Sequence, residues 1–326
     1  MRTAVTSLLI WCAALVAGLA VRNDYFVSVA TAAALLAIWA QSWNVLGGLS
    51  GQISLGHSAF IAVAAYVTLI LYQTHGVTPL IGLLISLLVV LLLAATIGLA
   101  TLRLRGPYFS LATLSASAVL LTLIVHFKDV TGGANGLAVS FTHDSPLELE
   151  FLDVRAYYVI AITALLGVTV LVRWLRRSRL GFYLLAIRSS ETAAAAAGVR
   201  IAQARTIAFC LSAVLAGAGG VIYVFYLGFA EPTYLAGLPL SIDIALMAVV
   251  GGTDYLAGPI VGAIFLEVLR AVTNAYAGST GGWDALILGV AVVLVVVIEP
   301  RGLIAIVARL RGPLGSAARR LGLARS

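Results

Sequence analysis

The sequence predicts an all-α integral membrane protein of about eight to ten transmembrane helices, with glycine-broken segments and an inverted repeat. Three observations carry that prediction: the apolar content, the recurrence of span-length apolar runs, and the separation of basic from acidic loops. Hydrophobic residues make up 62% of the 326 residues, charged residues 10%, and the mean hydropathy is +1.08. One soluble core cannot enclose that much apolar surface, so lipid is needed as a solvent. A span takes about 20 consecutive mainly apolar residues, because the hydrocarbon layer is roughly 30 Å thick and a helix rises about 1.5 Å per residue.

Taken in order, apolar runs at 5–21, 26–46, 58–72, 79–102, 108–127, 156–175, 206–227 and 283–298 satisfy that requirement or come close to it. The first follows Arg2 and closes on Ala17, Gly18 and Ala20, which is also the pattern of a signal peptide. The runs that follow it directly favour a retained span. Residues 241–275 are two apolar pieces broken by Gly251-Gly252-Thr253-Asp254-Tyr255-Leu256-Ala257-Gly258-Pro259, and so read as two short crossings or a re-entrant pair. A weak internal echo links the halves. Asn44-Val45-Leu46-Gly47-Gly48 followed by Gly51 and Gly56 is similar to Val249-Val250-Gly251-Gly252 followed by Gly258 and Gly262. Paired, glycine-interrupted apolar segments of this kind point to inverted repeats around a translocation site near the membrane midplane.

Charge placement sets the orientation, because basic residues in short loops are retained on the cytoplasmic side. Arg103, Arg105, the segment 173–205 and the tail 301–326 are then cytoplasmic. The loop 128–155 holds Asp129, Asp144, Glu148, Glu150 and Asp153 against Lys128 and Arg155, and reads as extracytoplasmic. The net charge of +7 is therefore mainly a topology signal, and arginines spread over separated loops make a poor nucleic-acid surface. No linker divides the chain, which reads as one domain over 1–326. Cys12 and Cys210 lie in apolar runs without disulfide or metal-ligand spacing.

Candidate chemistry gathers at two places. The segment from Gly47 to His57 is too rich in glycine and polar groups for a lipid-facing helix, and backbone freed from helical bonding must face protein or a water-lined cavity. Asn44, Gly48, Gln52, Ser54 and His57, with Gly251 and Gly252 from the second broken segment, are candidates to line an internal path. The alternative is that the glycines only permit close helix packing and His57 is a satisfied core histidine. Asp243 and Glu267 are carboxylates in apolar runs, costing about 2.5–3.5 kcal/mol at a span centre, and are pathway candidates by default. An interfacial place for both, with Glu267 paired to Arg270 by i,i+3 geometry, is the structural alternative. The single lysine, Lys128, stands between Phe127 and Asp129, so no GxxxxGK[ST] phosphate loop is present. HExxH, CxxC and GxSxG elements are also absent from the sequence, and the scattered His57, His75, His126 and His143 suggest no metal site, so an enzyme reading has little support.

The second place is the loop 176–205. Ser190 is a plausible N-cap, Glu191 suits the positive end of a helix, the alanines 193–197 favour helix and Gly198 terminates it. The result is a short helix with small side chains that another protein can approach closely, or else an interfacial connector. From here the chain resembles the LivM type of branched-chain amino acid ABC transporter permease. The marks are Ala186-Ile187-Arg188, Glu191, Ala193-Ala194, Gly198, Ala208-Phe209 and Ser212-Ala213, together with the run from Asn44 to His57. Gly106-Pro107-Tyr108-Phe109, Thr131-Gly132-Gly133-Ala134-Asn135-Gly136-Leu137, Gly251-Gly252, Gly258-Pro259 and Pro300-Arg301-Gly302-Leu303 complete the set.

The resemblance implies a pore subunit in the bacterial inner membrane, paired with a second, LivH-like permease subunit and bearing no cofactor of its own. Two cytoplasmic ATPases bind the ATP, and a periplasmic binding protein delivers leucine, isoleucine or valine to the acidic face. It makes Arg188, Glu191, Ala193, Ala194 and Gly198 the ATPase-coupling loop. Ala195, Phe182 and Arg205 depart from an acidic residue, a basic residue and a lysine common in the family. Urea, short amides and aromatic carboxylates are alternative substrates. An ion-coupled transporter using Asp243, Glu267 or His57 is the alternative mechanism.

Overall fold

A computed structural model describes residues 11, 15, 16, 18, 20, 21, 23–102, 104, 106–139, 145, 148–277, 283–299 and 301–305. Most of the run 5–21, with Arg103, Arg105, His143, Asp144, Pro300 and the tail from 306 onward, lies outside the described residues. The described chain is a helical bundle of α1 (Asp24–Ser50), α2 (His57–His75), α3 (Pro79–Thr101), α4 (Pro107–His126), α5 (Val154–Arg177), α6 (Arg179–Ser189), α7 (Glu191–Ala196), α8 (Ile201–Leu227), α9 (Leu238–Gly251), α10 (Gly258–Ala277) and α11 (Trp283–Ile298). Among the described residues seven helices, α1 to α5 with α8 and α10, are long and apolar enough to cross a membrane, and α9 and α11 are shorter apolar helices. A two-residue antiparallel pair, β1 (Leu137–Ala138) with β2 (Phe229–Ala230), closes one end.

The bundle is arranged around α1, which is buried along almost its whole length beyond Thr31 and is flanked by α5, α8, α9 and α10. Apolar residues are spread around its whole circumference, as an enclosed helix requires, with Thr31, Gln41, Ser42, Asn44 and Ser50 as buried polar exceptions. Asn23 caps its start by accepting from the Tyr25 N–H at 3.0 Å, and Asp153 caps α5 by accepting from the Arg155 N–H at 2.9 Å. Arg155 ties the two starts together through Asp24 at 3.0 Å.

The peripheral helices show the reverse of a soluble pattern. On α3 the buried stripe is Gly82, Ser86, Val90, Ala94 and Gly98 at four-residue spacing, while Leu84 and Leu92 point outward with more than half their surface free. Small residues let backbones approach where lipid removes the hydrophobic drive between helices, and large apolar side chains are left for the lipid. Gly98 sits against Phe209 of α8 and Gly82 against Thr68 of α2 on this principle.

Residues 241–275 form the pair α9 and α10, a 14-residue helix and a 20-residue one joined by the short segment 252–257. At about 1.5 Å per residue α9 is roughly 21 Å long, too short for a bilayer. The hairpin is tight because Gly251 and Gly262 bring the two backbones together: a Cβ on Gly251 would fall on the Gly258 carbonyl, and one on Gly262 on the Met247 carbonyl. The expectation for 47–57 needs correction in part. Gly47 to Ser50 remain helical, since an enclosed α1 has no lipid face to lose there, and the break is confined to residues 51–56 after Gly51 at φ 72°.

The bundle has a basic and an acidic end. Arg176, Arg177, Arg179, Arg188, Arg200 and Arg205 collect where α5, α6, α7 and the start of α8 meet. Asp24, Glu148, Glu150 and Asp153 collect at the other, where Tyr72 at the far end of α2 donates to Glu150 at 2.8 Å.

Candidate functional site

Segment 51–56 leads from the C-terminus of α1, at the basic end, back into the interior, where α2 starts at His57. From the acidic end, the chain re-enters after β2 through Pro232–Leu235 and begins α9 at Leu238. The first turns of α2 and α9 meet. Ser58 N–H donates to Ser241 Oγ at 3.0 Å, Ser241 Oγ donates to Ser58 Oγ at 2.9 Å, and Ser117, halfway along α4, lies 2.9 Å from Ser58 Oγ and donates to the Ala236 carbonyl at 3.0 Å. From this junction α2 runs to the acidic end and α9 to the basic end, the antiparallel relation that an inverted pair has.

These contacts answer a backbone requirement, because the first N–H groups of a helix have no intrahelical acceptor and both helix starts are enclosed. Ser241→Ala removes the acceptor of the Ser58 N–H and is expected to destabilise the protein by about 1–3 kcal/mol. Ser115→Ala, at an exposed hydroxyl bonded among the described residues to its own helix at Leu111, is the control expected within about 0.5 kcal/mol of the parent. Equal melting of the two variants in detergent would show that the serine junction contributes nothing.

His57 is fully buried beside this junction. Its Nε2 lies 2.7 Å from Ser212 Oγ, and Ser212 donates its only proton to the Ser42 carbonyl at 2.5 Å. The imidazole therefore donates from Nε2, and Nδ1 is an acceptor without a partner among the described residues. Ser54 is buried and receives the Gly56 N–H, while its carbonyl takes the Trp43 indole N–H at 2.8 Å. Gln52 is buried with its Oε1 unpaired among the described residues, and Asn44 has both amide atoms unpaired among them. The structure thus joins His57 to Ser42 and Ser212, beside the junction of Ser58, Ser117 and Ser241, and buries Gln52 and Ser54 in the segment that leads there. Sequence reasoning did not bring the serines together because they come from four separate helices besides α2, and nothing local to one helix says which hydroxyls will meet.

Asp243 is placed elsewhere. It pairs with Arg270 of α10 at 2.9 Å, and Glu267 meets the same guanidinium at 3.6 Å, the i,i+3 contact the sequence offered as the structural alternative. Among the described residues no group of three or more His, Cys, Asp or Glu is placed to hold a metal ion.

At the basic end, Gly48, Gly251 and Gly252 lie near one another, a Cβ on Gly48 falling 3.3 Å from Thr253. Arg188 donates to the Gly48 carbonyl at 2.6 Å and pairs with Asp254 at 2.8 Å. Arg176 donates to the carbonyls of Thr253 and Asp254 at 3.2 and 2.7 Å. The loop itself matches its expected form: Ser190 caps α7 by accepting from the Ala193 N–H, Glu191 pairs with Arg205, Ala194 is buried, and Gly198 follows at φ 84°. Ala193 and Ala195 to Gly198 are exposed and leave a face of small residues at the basic end.

Large apolar side chains outside, an enclosed polar centre and helices broken within the bundle define a multi-pass membrane protein with the organisation of a transport permease. Residues 25–296 match the family described as branched-chain amino acid transport system / permease component, and the chain belongs to that family. It is 27% identical over 306 residues to the high-affinity branched-chain amino acid transport system permease protein LivM of Escherichia coli K12, a match covering 85% of this chain and 69% of that one. It is also 26% identical to the ribose import permease protein RbsC of the same organism, over 68% of this chain and 71% of that one. The xylose/arabinose import permease protein XylH of Sulfolobus acidocaldarius is 25% identical, with 77% and 70% covered. The protein is accordingly a multi-pass component of the bacterial inner membrane.

Proposed function

We propose that this chain is one permease subunit of a binding-protein-dependent ABC importer for leucine, isoleucine and valine. The observation that carries the reading is the likeness to LivM over 85% of the chain, on top of the family match along residues 25–296. The whole chain is then a single permease domain with a cytoplasmic coupling loop at 176–205, an extracytoplasmic loop at 128–155 and a basic cytoplasmic tail at 301–326. A LivH-like second permease subunit completes the pore, two ATPases dock on the loop around α7, and a binding protein presents substrate at the acidic end. The path passes the glycine-broken segments, with Asn44, Gln52, Ser54 and His57 beside it. The exposed small residues of α7 support the docking assignment, since they admit another protein's groove closely.

Likeness to ribose and xylose/arabinose permeases makes a pentose the second reading. Both are tested on one preparation. The complex is purified from native membranes and its ATPase rate measured with binding protein loaded with leucine or with ribose. Leucine is expected to stimulate hydrolysis and ribose not; the reverse would overturn the substrate assignment. Ala193→Trp with Ala196→Trp fills the exposed α7 face while leaving the Glu191–Arg205 pair in place. This variant is expected to lose the ATPase subunits, and an unchanged complex would sink the docking assignment.

A further inference from the structure

The coupling-loop reading treats Arg188 as a surface contact for an ATPase, yet its guanidinium points into the bundle. Gly48 belongs to the last turn of α1, whose final carbonyls lack intrahelical donors and carry the negative end of the helix dipole. The C-terminus of α9 reaches the same place, and Asp254 adds a full negative charge. Arg188 and Arg176 neutralise this convergence. Arg188 spans two elements, with one Nη1 shared by the Gly48 carbonyl and the Asp254 carboxylate. Arg176 holds the backbone of the same loop. Gln41, further along α1, donates to the Leu256 carbonyl at 2.6 Å, so segment 252–257 is held against α1 at both of its ends. Arg188 is also two residues from Ser190, the cap of α7, while Glu191 fastens α7 to α8 through Arg205.

We propose that Arg188 is a positioning residue: it links α7 to both glycine-broken segments at the basic end, so that a displacement of α7 moves the C-terminus of α1 and the 252–257 loop together. This rests on the permease reading and adds a named intramolecular link to it. Substrate contact is not part of the role, and neither is contact with the ATPase. The link is charge-assisted and passes through a single nitrogen, so lysine, which keeps the charge and several donors on a differently shaped stem, restores it in part.

The test uses the intact complex and two variants on opposite sides of the link, Arg188→Ala and Asp254→Asn. In both, substrate moved per ATP is expected to fall roughly tenfold, the scale of one charged hydrogen bond, and Asp254→Asn, which lies outside the loop 176–205, is expected to keep the ATPase subunits and basal hydrolysis. Arg188→Lys is expected to fall between them and the parent. The second readout needs no partner. In a background with Cys12 and Cys210 replaced by serine, spin labels at Ala195→Cys and Tyr255→Cys report the distance between α7 and the loop. The distribution is expected to be narrow in the parent and broad in both Arg188→Ala and Asp254→Asn. An unchanged distribution in both variants would overturn the link. So would loss of the ATPase subunits from Arg188→Ala with Asp254→Asn silent, which would make Arg188 a docking contact. Failure of the importer reading shows differently, as a parent complex without ATPase subunits, and the spin-label distances still decide the link.

Discussion

Arg270→Met is expected to lower the stability of the protein by about 3 kcal/mol, the lower end of the range for breaking a buried ion pair from one side. The arginine serves Asp243 at 2.9 Å and Glu267 at 3.6 Å, and its loss leaves two carboxylates facing each other on neighbouring apolar helices. The lower end is appropriate because Asp243 keeps 33% of its side-chain surface open while Glu267 keeps 14%. The companion variant combines Arg270→Met with Asp243→Leu and Glu267→Gln. It removes every charge of the cluster and is expected to recover most of the loss, since apolar or neutral replacement of a whole buried cluster is often near neutral. Thermal melting in detergent, followed by size exclusion, reads both. Melting of Arg270→Met within about one degree of the parent would mean that the cluster is solvated and contributes little.

Gly251→Ala is expected to cost about 1–3 kcal/mol, although alanine is the better helix former. The added methyl lands on the Gly258 carbonyl and close to the Gly262 nitrogen, both backbone atoms that cannot rotate away. Gly289→Ala, on the exposed side of α11 with open space around the new Cβ, is expected to be neutral or to stabilise by about 0.5–1 kcal/mol from helix propensity alone. The two substitutions are chemically identical, so opposite signs isolate packing from propensity. Equal shifts in melting temperature would remove the argument that the α9–α10 hairpin is closed by its glycines.

Much of the architecture was legible in the chain. The apolar runs at 26–46, 58–72, 79–102, 108–127, 156–175, 206–227 and 283–298 each became a helix, because a span must satisfy its own backbone and hydropathy alone reports where it does. Ser190 as the cap of α7, and Gly198 beyond its end, were read from local chemistry that needs no tertiary context. Less legible was the extent of the first break. Glycines 47 and 48 looked like breakers in isolation, but an enclosed helix tolerates them, and the chain leaves α1 only at Gly51. The pairing of Glu267 with Arg270 was offered by spacing; that Asp243 shares the same guanidinium was not, since it lies 27 residues from Arg270 in another helix.

The sequence by itself determined a membrane bundle with a basic and an acidic end, its family, and a short alanine-rich helix at the basic end. These follow from quantities local to the chain: hydropathy over one span, charge in one loop, a cap and its helix. Only the tertiary structure decided that the starts of α2 and α9 meet on a serine junction, that His57 donates to Ser212, and that Arg188 turns inward to Gly48 and Asp254. Each joins elements distant in sequence, and a pattern within one helix can mark an inward face without saying which other element that face will meet. Burial of helix ends then makes the decision, because their unpaired backbone groups must find partners wherever packing places them.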